Sequence, residues 1–194
     1  MIHDHSYLTS DDHCYYLLDY TSNEGFSYSD SNSLLLNCKK KMDKRGTSEW
    51  VYKERAILKL SRMIRNKLSS ENLKKVSIVP IPPSKAKNDP MYDNRLFKIL
   101  NYAYGDNADI IDCLEQKKSR IESHLRDPRP SIQDHMNGYL VNKDLMNNLR
   151  NIVILFDDIL TSGSQYIACK NTILKYRKDV KIVGLFLARR VPKN

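Results

Sequence analysis

The sequence predicts an α/β fold in which a mostly parallel sheet is flanked by helices. Short apolar runs at 76–79, 152–156 and 182–187 are typical of parallel strands that are covered on both faces. Segments with helical periodicity lie between these runs, so the order strand–helix–strand occurs twice. In such sheets, ligands bind at the carboxyl ends of the strands, which directs attention to the residues that follow positions 79 and 156.

Length and composition restrict the class of protein. The chain has 194 residues, of which 41% are hydrophobic and 28% are charged, and this usage excludes collagen-like, coiled-coil and wholly disordered proteins. No apolar run is long enough to span a membrane, and the first 20 residues carry acids and histidines where a signal peptide would carry a basic and apolar run. The four cysteines are far apart and are expected to be reduced thiols, which predicts a cytoplasmic protein. They are Cys14, Cys38, Cys113 and Cys169.

Residues 1–50 are predicted to form a small N-terminal cap, and residues 51–194 the α/β core. The first 38 residues contain no Lys or Arg and include six acids, with several tyrosines among them. The run at 14–18 is strand-like, and residues 34–38 form a second short apolar run. The sequence predicts a short hairpin or a cap here.

The first helix of the core is predicted from apolar residues at 3.6-residue spacing between Ala56 and Leu68. It belongs to a basic segment, residues 39–67, which holds eleven basic and three acidic residues. A polyanionic ligand, a nucleic acid or a protein partner is one interpretation of this segment. A solvated face without a partner is the alternative.

The middle of the chain alternates short strands, loops and one helix. A strand at Val76–Val79 stops at the proline-rich string 80–83, because proline cannot continue a sheet ladder. The other predicted elements are a helix capped by Asp93 that continues through Ala103, a strand at Ile110–Leu114, a long charged loop at 115–135, and a strand at Gly138–Val141.

The last strand–helix unit contains the candidate ligand-binding residues. The strand at 152–156 is followed by Asp157 and Asp158, whose like charges require compensation by a cation or by ligand hydroxyls. The string Thr161–Ser164 then places hydroxyls and a glycine at the start of a helix over 164–175, where free N–H groups favour a phosphate. A ribose 5-phosphate has this layout. The alternative is two exposed acids in a turn and an ordinary helix cap.

The segment Val153–Gln165 resembles the phosphoribosyl pyrophosphate (PRPP) binding motif of type I phosphoribosyltransferases. That motif has four apolar residues, two acids, two apolar residues, two small hydroxylic residues, a glycine, any residue and a final Thr or Ser. Twelve of the thirteen positions match, and the departure is Gln165, whose amide can still donate to a phosphate. The resemblance implies the fold of that family, which is Rossmann-like.

Residues 33–190 resemble the ComF-like branch of this family. The string Val79–Lys87 resembles the pyrophosphate loop, in which Ser84, Lys85 and Lys87 would bind a diphosphate. The alternative is a plain surface loop. The string Asp93–Leu96 is a partial match to a further family motif, and the cysteine-rich zinc module of many ComF-like proteins is absent.

The family also has a flexible loop that closes over the diphosphate, and Ser119–His135 is the matching stretch. Its basic residues are candidate donors to the diphosphate, because arginine suits bidentate contacts with phosphate oxygens. They are Arg120, His124, Arg126 and Arg129, of which Arg126 and Arg129 are the candidates for a catalytic role. Each of them could instead be a solvated loop residue.

The resemblance implies Mg²⁺-dependent transfer of a 5-phosphoribosyl group from PRPP to a nitrogenous acceptor, or the reverse. Asp157 and Asp158 would orient the ribose and contact the PRPP-bound Mg²⁺, while Thr161, Ser162, Gly163, Ser164 and Gln165 would hold the 5-phosphate. The alternative is a catalytically weak sensor of PRPP or a nucleotide, acting with nucleic acid or a partner protein in bacterial competence or antiviral defence. An oligomer is also expected.

Overall fold

The computed structural model describes residues 5–120 and 130–193. Five parallel strands form the main sheet in the order β1-β7-β6-β2-β3, and β4 and β5 form a separate antiparallel pair. Helices flank the main sheet, which confirms the predicted α/β architecture. The elements are β1 (Cys14–Thr21), α1 (Asp30–Cys38), α2 (Trp50–Arg65), α3 (Ser70–Leu73), β2 (Val76–Pro80), α4 (Arg95–Tyr104), β3 (Asp109–Ile110), β4 (Leu114–Gln116), α5 (Ile132–Asn137), β5 (Tyr139–Val141), α6 (Lys143–Asn147), β6 (Ile152–Leu160), α7 (Ser164–Tyr176) and β7 (Lys181–Val191).

Two apolar cores lie on opposite faces of the sheet. One contains buried residues of α1, α2 and α4 together with Ile154 and Phe156 of β6. The other contains buried residues of α6 and α7 together with Val153 and Leu155 of the same strand. Since successive side chains of a strand point to opposite faces, an uninterrupted apolar run is what a doubly covered strand requires. This explains why β6 was the clearest strand in the sequence.

The predicted strand at 152–156 is longer than the sequence indicated, because β6 continues to Leu160. Its backbone remains paired with β7 through Asp157 opposite Phe186 and Leu160 opposite Arg189. The two acids interrupt the apolar pattern, but they do not interrupt the ladder of backbone hydrogen bonds. Asp157 and Asp158 are therefore strand residues, held by a regular backbone rather than by a turn.

The described part of residues 1–50 is integrated into the sheet and its core. β1 runs parallel to β7 at the sheet edge, which confirms the strand at 14–18 but not the hairpin. The apolar run at 34–38 lies in α1, whose N-terminus is capped by the side chain of Ser29 and which buries Leu35 and Cys38. The proposed domain boundary at residue 50 stays a prediction.

Other elements differ in length from the predictions. α2 begins at Trp50, earlier than the apolar spacing indicated. The single strand predicted at Ile110–Leu114 is two strands, β3 and β4, which belong to different sheets. The loop predicted at 115–135 includes the end of β4 and the start of α5, which opens with a capping box between Ser131 and Asp134.

Two observations bear on the expectations from composition. All four cysteines lie within the described residues and carry free thiols. Among residues 5–120 and 130–193, no helix combines the length and the apolar character that crossing a membrane requires.

Candidate functional site

A cavity of about 980 Å³ lies at the carboxyl edge of the main sheet. Its walls come from the loop after β2, the end of β6 with the loop that follows it, and the ends of β7 and β1. Every ligand-binding residue predicted in the loop after β2 and at the end of β6 lines it, whereas Arg120, a candidate donor to the diphosphate, is not among the lining residues. The predicted residues that line the cavity are Ser84, Lys85, Lys87, Asp157, Asp158, Thr161, Ser162, Gly163, Ser164 and Gln165. The structure thus brings together two segments, 84–87 and 157–165, that are far apart in the sequence.

Asp158 is buried, with 4% of its surface exposed, and protein cations surround it. Both Nε and Nη2 of Arg95 donate to its Oδ2, with Nε at 2.9 Å, and Nζ of Lys39 lies 3.2 Å from its Oδ1. Burial alone would raise the pKa of Asp158, but the charges of Lys39 and Arg95 outweigh burial and hold that pKa below its usual range. The compensation that adjacent acids require therefore comes from the protein itself.

Arg95 also takes part in a second group of ion pairs, which is centred on Asp93. Asp93 Oδ2 accepts from Arg95 Nη1 at 3.0 Å and from Lys53 Nζ at 2.7 Å. Lys53, of which only 1% is exposed, also donates to the carbonyl oxygens of Cys38 and Lys40. The result is a chain of alternating charges that joins α1, α2, α4 and β6. We call these five residues the ion-pair network of the site; they are Lys39, Asp158, Arg95, Asp93 and Lys53.

Asp157 has a different environment. It is partly exposed and lines the cavity, and its Oδ1 accepts the backbone N–H of Asp158 at 2.7 Å. Within the described residues it forms no ion pair. Burial and then the neighbouring charge of Asp158 raise the pKa of Asp157. Of the two acids, Asp157 is therefore the one with an oxygen available to a ligand.

The loop after β6 presents an uncapped helix end to the cavity. The residue that precedes α7 is Gly163, which has a φ of 87° and no side chain to cap the helix. In the described part of the chain, no hydrogen bond uses the backbone N–H groups of Ser164 and Gln165. These N–H groups and the helix dipole form the kind of site that binds anions at helix N-termini.

The N-terminal segment 5–8 packs against this loop, which the sequence did not indicate. The backbone N–H of Tyr7 donates to the carbonyl of Ser162 at 3.0 Å, and Nδ1 of His5 contacts the carbonyl of Thr161. A Cβ on Gly163 would lie 2.7 Å from Cδ2 of Leu8. Glycine is thus required here for its backbone angle and for this close packing.

The two lysines of the loop after β2 differ in their partners. Lys85 lines the cavity and forms no ion pair within the described residues. Lys87 also lines it, but its Nζ lies 2.9 Å from Oε1 of Glu115 and contacts Asp112. Although burial lowers the pKa of Lys87, these two acids raise it overall. Lys85 is therefore the lysine that is available to bind an anion, whereas the charge of Lys87 is already compensated by Asp112 and Glu115.

The ends of the predicted flexible loop are tied to the loop after β2. The backbone N–H of Arg120 donates to the carbonyl of Ser84 at 2.8 Å, and Oγ of Ser119 accepts from the N–H of Ala86 at 3.1 Å. Nη1 of Arg120 lies 2.7 Å from Nδ1 of His135, so this arginine contacts α5. The other candidate donors of this loop lie outside the described residues. They are His124, Arg126 and Arg129.

The donor set limits how a metal could bind. The described residues contain no cluster of three or more His, Cys, Asp or Glu side chains that could hold a metal ion. Both oxygens of Asp158 are engaged by Arg95 and Lys39, which disfavours its predicted role as a metal ligand. A single open carboxylate, that of Asp157, suits a Mg²⁺ ion whose other ligands are phosphate oxygens and water.

Comparison with known proteins identified no matching family model, curated protein or solved structure.

Proposed function

We propose that this chain has the type I phosphoribosyltransferase fold and transfers a 5-phosphoribosyl group between PRPP and a nitrogenous acceptor. One observation carries the proposal: an open carboxylate and an uncapped helix N-terminus flank the same cavity, with an unpaired lysine on the loop across from them. These groups match the hydroxyls, the 5-phosphate and the diphosphate of PRPP. An oligomeric state stays a prediction.

Binding of the sugar phosphate would use the end of β6 and the loop that follows it. Asp157 would accept hydrogen bonds from the ribose hydroxyls, while Asp158 would hold the end of the strand in place through Arg95. The N–H groups at the start of α7 and the hydroxyls of Thr161, Ser162 and Ser164 would bind the 5-phosphate. Gln165, which departs from the family motif, could add an amide donor.

Mg²⁺ is the cofactor that the proposal implies, and the residues present are compatible with it. Asp157 would be its protein ligand, and the remaining ligands would be phosphate oxygens and water. When bound, the ion would neutralise charge that develops on the departing diphosphate. Lys85 would act on the same charge from the loop after β2.

In the transfer, the lone pair of the acceptor nitrogen forms a bond to C1 of the ribose as the bond from C1 to the diphosphate oxygen breaks. The electron pair of that bond leaves with the diphosphate, and a proton on the acceptor nitrogen is lost to solvent. The protein's part is to hold the reactants in line and to stabilise the departing charge.

The test measures diphosphate release when the protein is incubated with PRPP, Mg²⁺ and each of a panel of nitrogenous bases. We expect Asp157→Asn to abolish release, because it removes the open carboxylate, and Asp19→Asn to retain it, because Asp19 pairs with Arg189 on β7 away from the cavity. Asp158→Asn is a poorer probe, since it leaves Arg95 without its main partner. If the wild type neither binds nor consumes PRPP, the proposal is wrong.

We propose as a second candidate a regulatory module that senses PRPP and acts with nucleic acid. The exposed face of α2 carries Arg55, Lys59 and Arg62, and no ion pair to these three residues occurs within the described part of the chain. Like charges four residues apart destabilise a helix, so this stripe suits an anionic partner. By contrast, Lys39, Lys40 and Lys53 of the same segment already form ion pairs.

Nucleic-acid binding can be tested through its salt dependence. The triple variant Arg55→Glu, Lys59→Glu, Arg62→Glu should flatten the dependence of single-stranded DNA or RNA affinity on salt. The matched triple variant Lys175→Glu, Lys178→Glu, Lys181→Glu, with the same change of charge on other exposed residues, should retain it. Absence of binding by the wild type at low salt would eliminate this candidate.

A further inference from the structure

The cavity extends beyond the acids of β6 toward β7 and β1, on the side opposite the loop after β2. The strand order β1-β7-β6-β2 places β6 between these two sides. Arg190, near the end of β7, lines the cavity, as does Tyr20, its register partner on β1. This side of the cavity is not used by the sugar phosphate or the diphosphate in the proposed function.

Arg190 is partly buried, and its guanidinium makes no hydrogen bond or ion pair within the described residues. Its neighbour Arg189 differs, since Nε of Arg189 donates to Asp19 at 2.8 Å and its guanidinium stacks on Tyr16. A cavity-lining guanidinium without a partner has donors available for an anion. The cavity thus has unpaired cations on two sides of Asp157: Lys85 on one and Arg190 on the other.

The chemistry of transfer separates the roles of these two cations. Displacement at C1 requires the acceptor to approach from the face opposite the departing diphosphate. If the diphosphate leaves toward Lys85, the acceptor enters from the side of β7 and β1. An anion at Arg190 is then a part of the acceptor. Tyr7 and Tyr20 also line the cavity, and Tyr7 is 42% exposed, so these residues offer aromatic surface to a planar ligand.

We propose that the acceptor is a planar nitrogen heterocycle that carries a carboxylate, and that Arg190 binds this carboxylate. The inference rests on the proposed function and names the acceptor class for the same site. A guanidinium pairs with a carboxylate through two parallel hydrogen bonds, so it distinguishes the acid from the corresponding neutral compound.

The test uses calorimetry with two matched pairs of probes, orotate with uracil and nicotinate with nicotinamide. Ribose 5-phosphate and Mg²⁺ are titrated first and then kept saturating, so that the sugar-phosphate site is filled with a compound that cannot react. We expect at least one acid to bind roughly 10- to 100-fold more tightly than its neutral partner. Arg190→Gln should abolish that preference and change the affinity for ribose 5-phosphate by less than about threefold.

Arg189→Gln is the matched control and should keep the preference, because Arg189 is engaged with Asp19 and Tyr16. Equal binding of acids and neutral compounds, or an unchanged preference in Arg190→Gln, would overturn the inference while leaving the proposed function intact. A loss of ribose 5-phosphate affinity above tenfold in Arg190→Gln would also overturn it, by assigning Arg190 to the phosphate. If the wild type binds neither ribose 5-phosphate nor PRPP, both proposals are wrong.

Discussion

Asp157 and Asp158 are adjacent in the chain, but their surroundings shift their pKa values in opposite directions. Arg95 and Lys39 hold Asp158 ionised, whereas burial and the charge of Asp158 favour the protonated form of Asp157. A protonated carboxyl in the cavity carries less desolvation cost than a carboxylate, so ionisation of Asp157 for ligand binding opposes stability. The residue that we propose to contact the ribose is thus a source of instability in the free protein.

The stability of the protein should therefore depend on the protonation of Asp157. Its pKa is raised to about 7, above the ordinary value near 3.9, so the stability it contributes is lost as pH rises through 7. Asp157→Asn should raise the melting temperature at pH 8, by about 2–4 °C for each kcal/mol gained, and change it little at pH 4. Thermal unfolding of both proteins at the two pH values checks this. An equal difference at both pH values would contradict it.

Gly163 should matter for both packing and ligand binding. Gly163→Ala introduces a residue at positive φ, which costs roughly 1–2 kcal/mol, and a Cβ that meets Leu8. Gly46→Ala is a matched control, because Gly46 has a φ of 84° and open space around it. We expect both variants to lose stability in denaturant unfolding and only Gly163→Ala to lose affinity for ribose 5-phosphate. Retained affinity in Gly163→Ala would refute this role of the loop.

At the scale of elements, the ion-pair network joins three helices to the end of the central strand. Lys39 follows α1, Lys53 lies on α2, Arg95 begins α4 and Asp158 lies on β6. Helix packing and site geometry are therefore coupled, because a shift of α2 or α4 changes the partners of Asp158. Removing one member of a buried ion pair leaves the other charge without compensation.

Lys53 provides the test of this coupling. Lys53→Met should destabilise the protein by about 1–3 kcal/mol, since Asp93 loses a partner but keeps Arg95, and the carbonyls of Cys38 and Lys40 lose a buried donor. Lys59→Met, on the exposed face of the same helix, should change stability by less than about 0.5 kcal/mol. Urea unfolding of the two variants measures the difference. A similar loss in the free energy of unfolding for both substitutions would show that the ion-pair network does not stabilise the fold.

The sequence predicted elements best where one strong pattern was present. The apolar run of β6 and the spacing of α2 were sufficient to identify both elements. The end of β6 was missed because Asp157 and Asp158 break the apolar pattern while the backbone pairing continues. The run at 110–114 was assigned to one strand because periodicity gives no information about which partner each half pairs with.

At the scale of the whole molecule, the site combines segments from most of the chain. The order of residues from Asp157 to Gln165 predicted the acids and the loop, because these lie within one continuous stretch. Their partners could not be predicted: Lys39 and Arg95 are 119 and 63 positions away from Asp158. Arg190 reaches the cavity because β7 pairs with β6, and Tyr7 reaches it because the N-terminal segment packs on the loop.

The most direct measurement is calorimetric titration of PRPP and Mg²⁺ into the wild type and into Asp157→Asn, with the fold of the variant checked by circular dichroism. We predict saturable binding by the wild type and a loss of at least about tenfold in affinity for the folded variant, because Asp157 supplies the open carboxylate. Binding of equal strength to both proteins, or no binding to the wild type at millimolar PRPP, would contradict the central claim that a ribose phosphate occupies the end of β6.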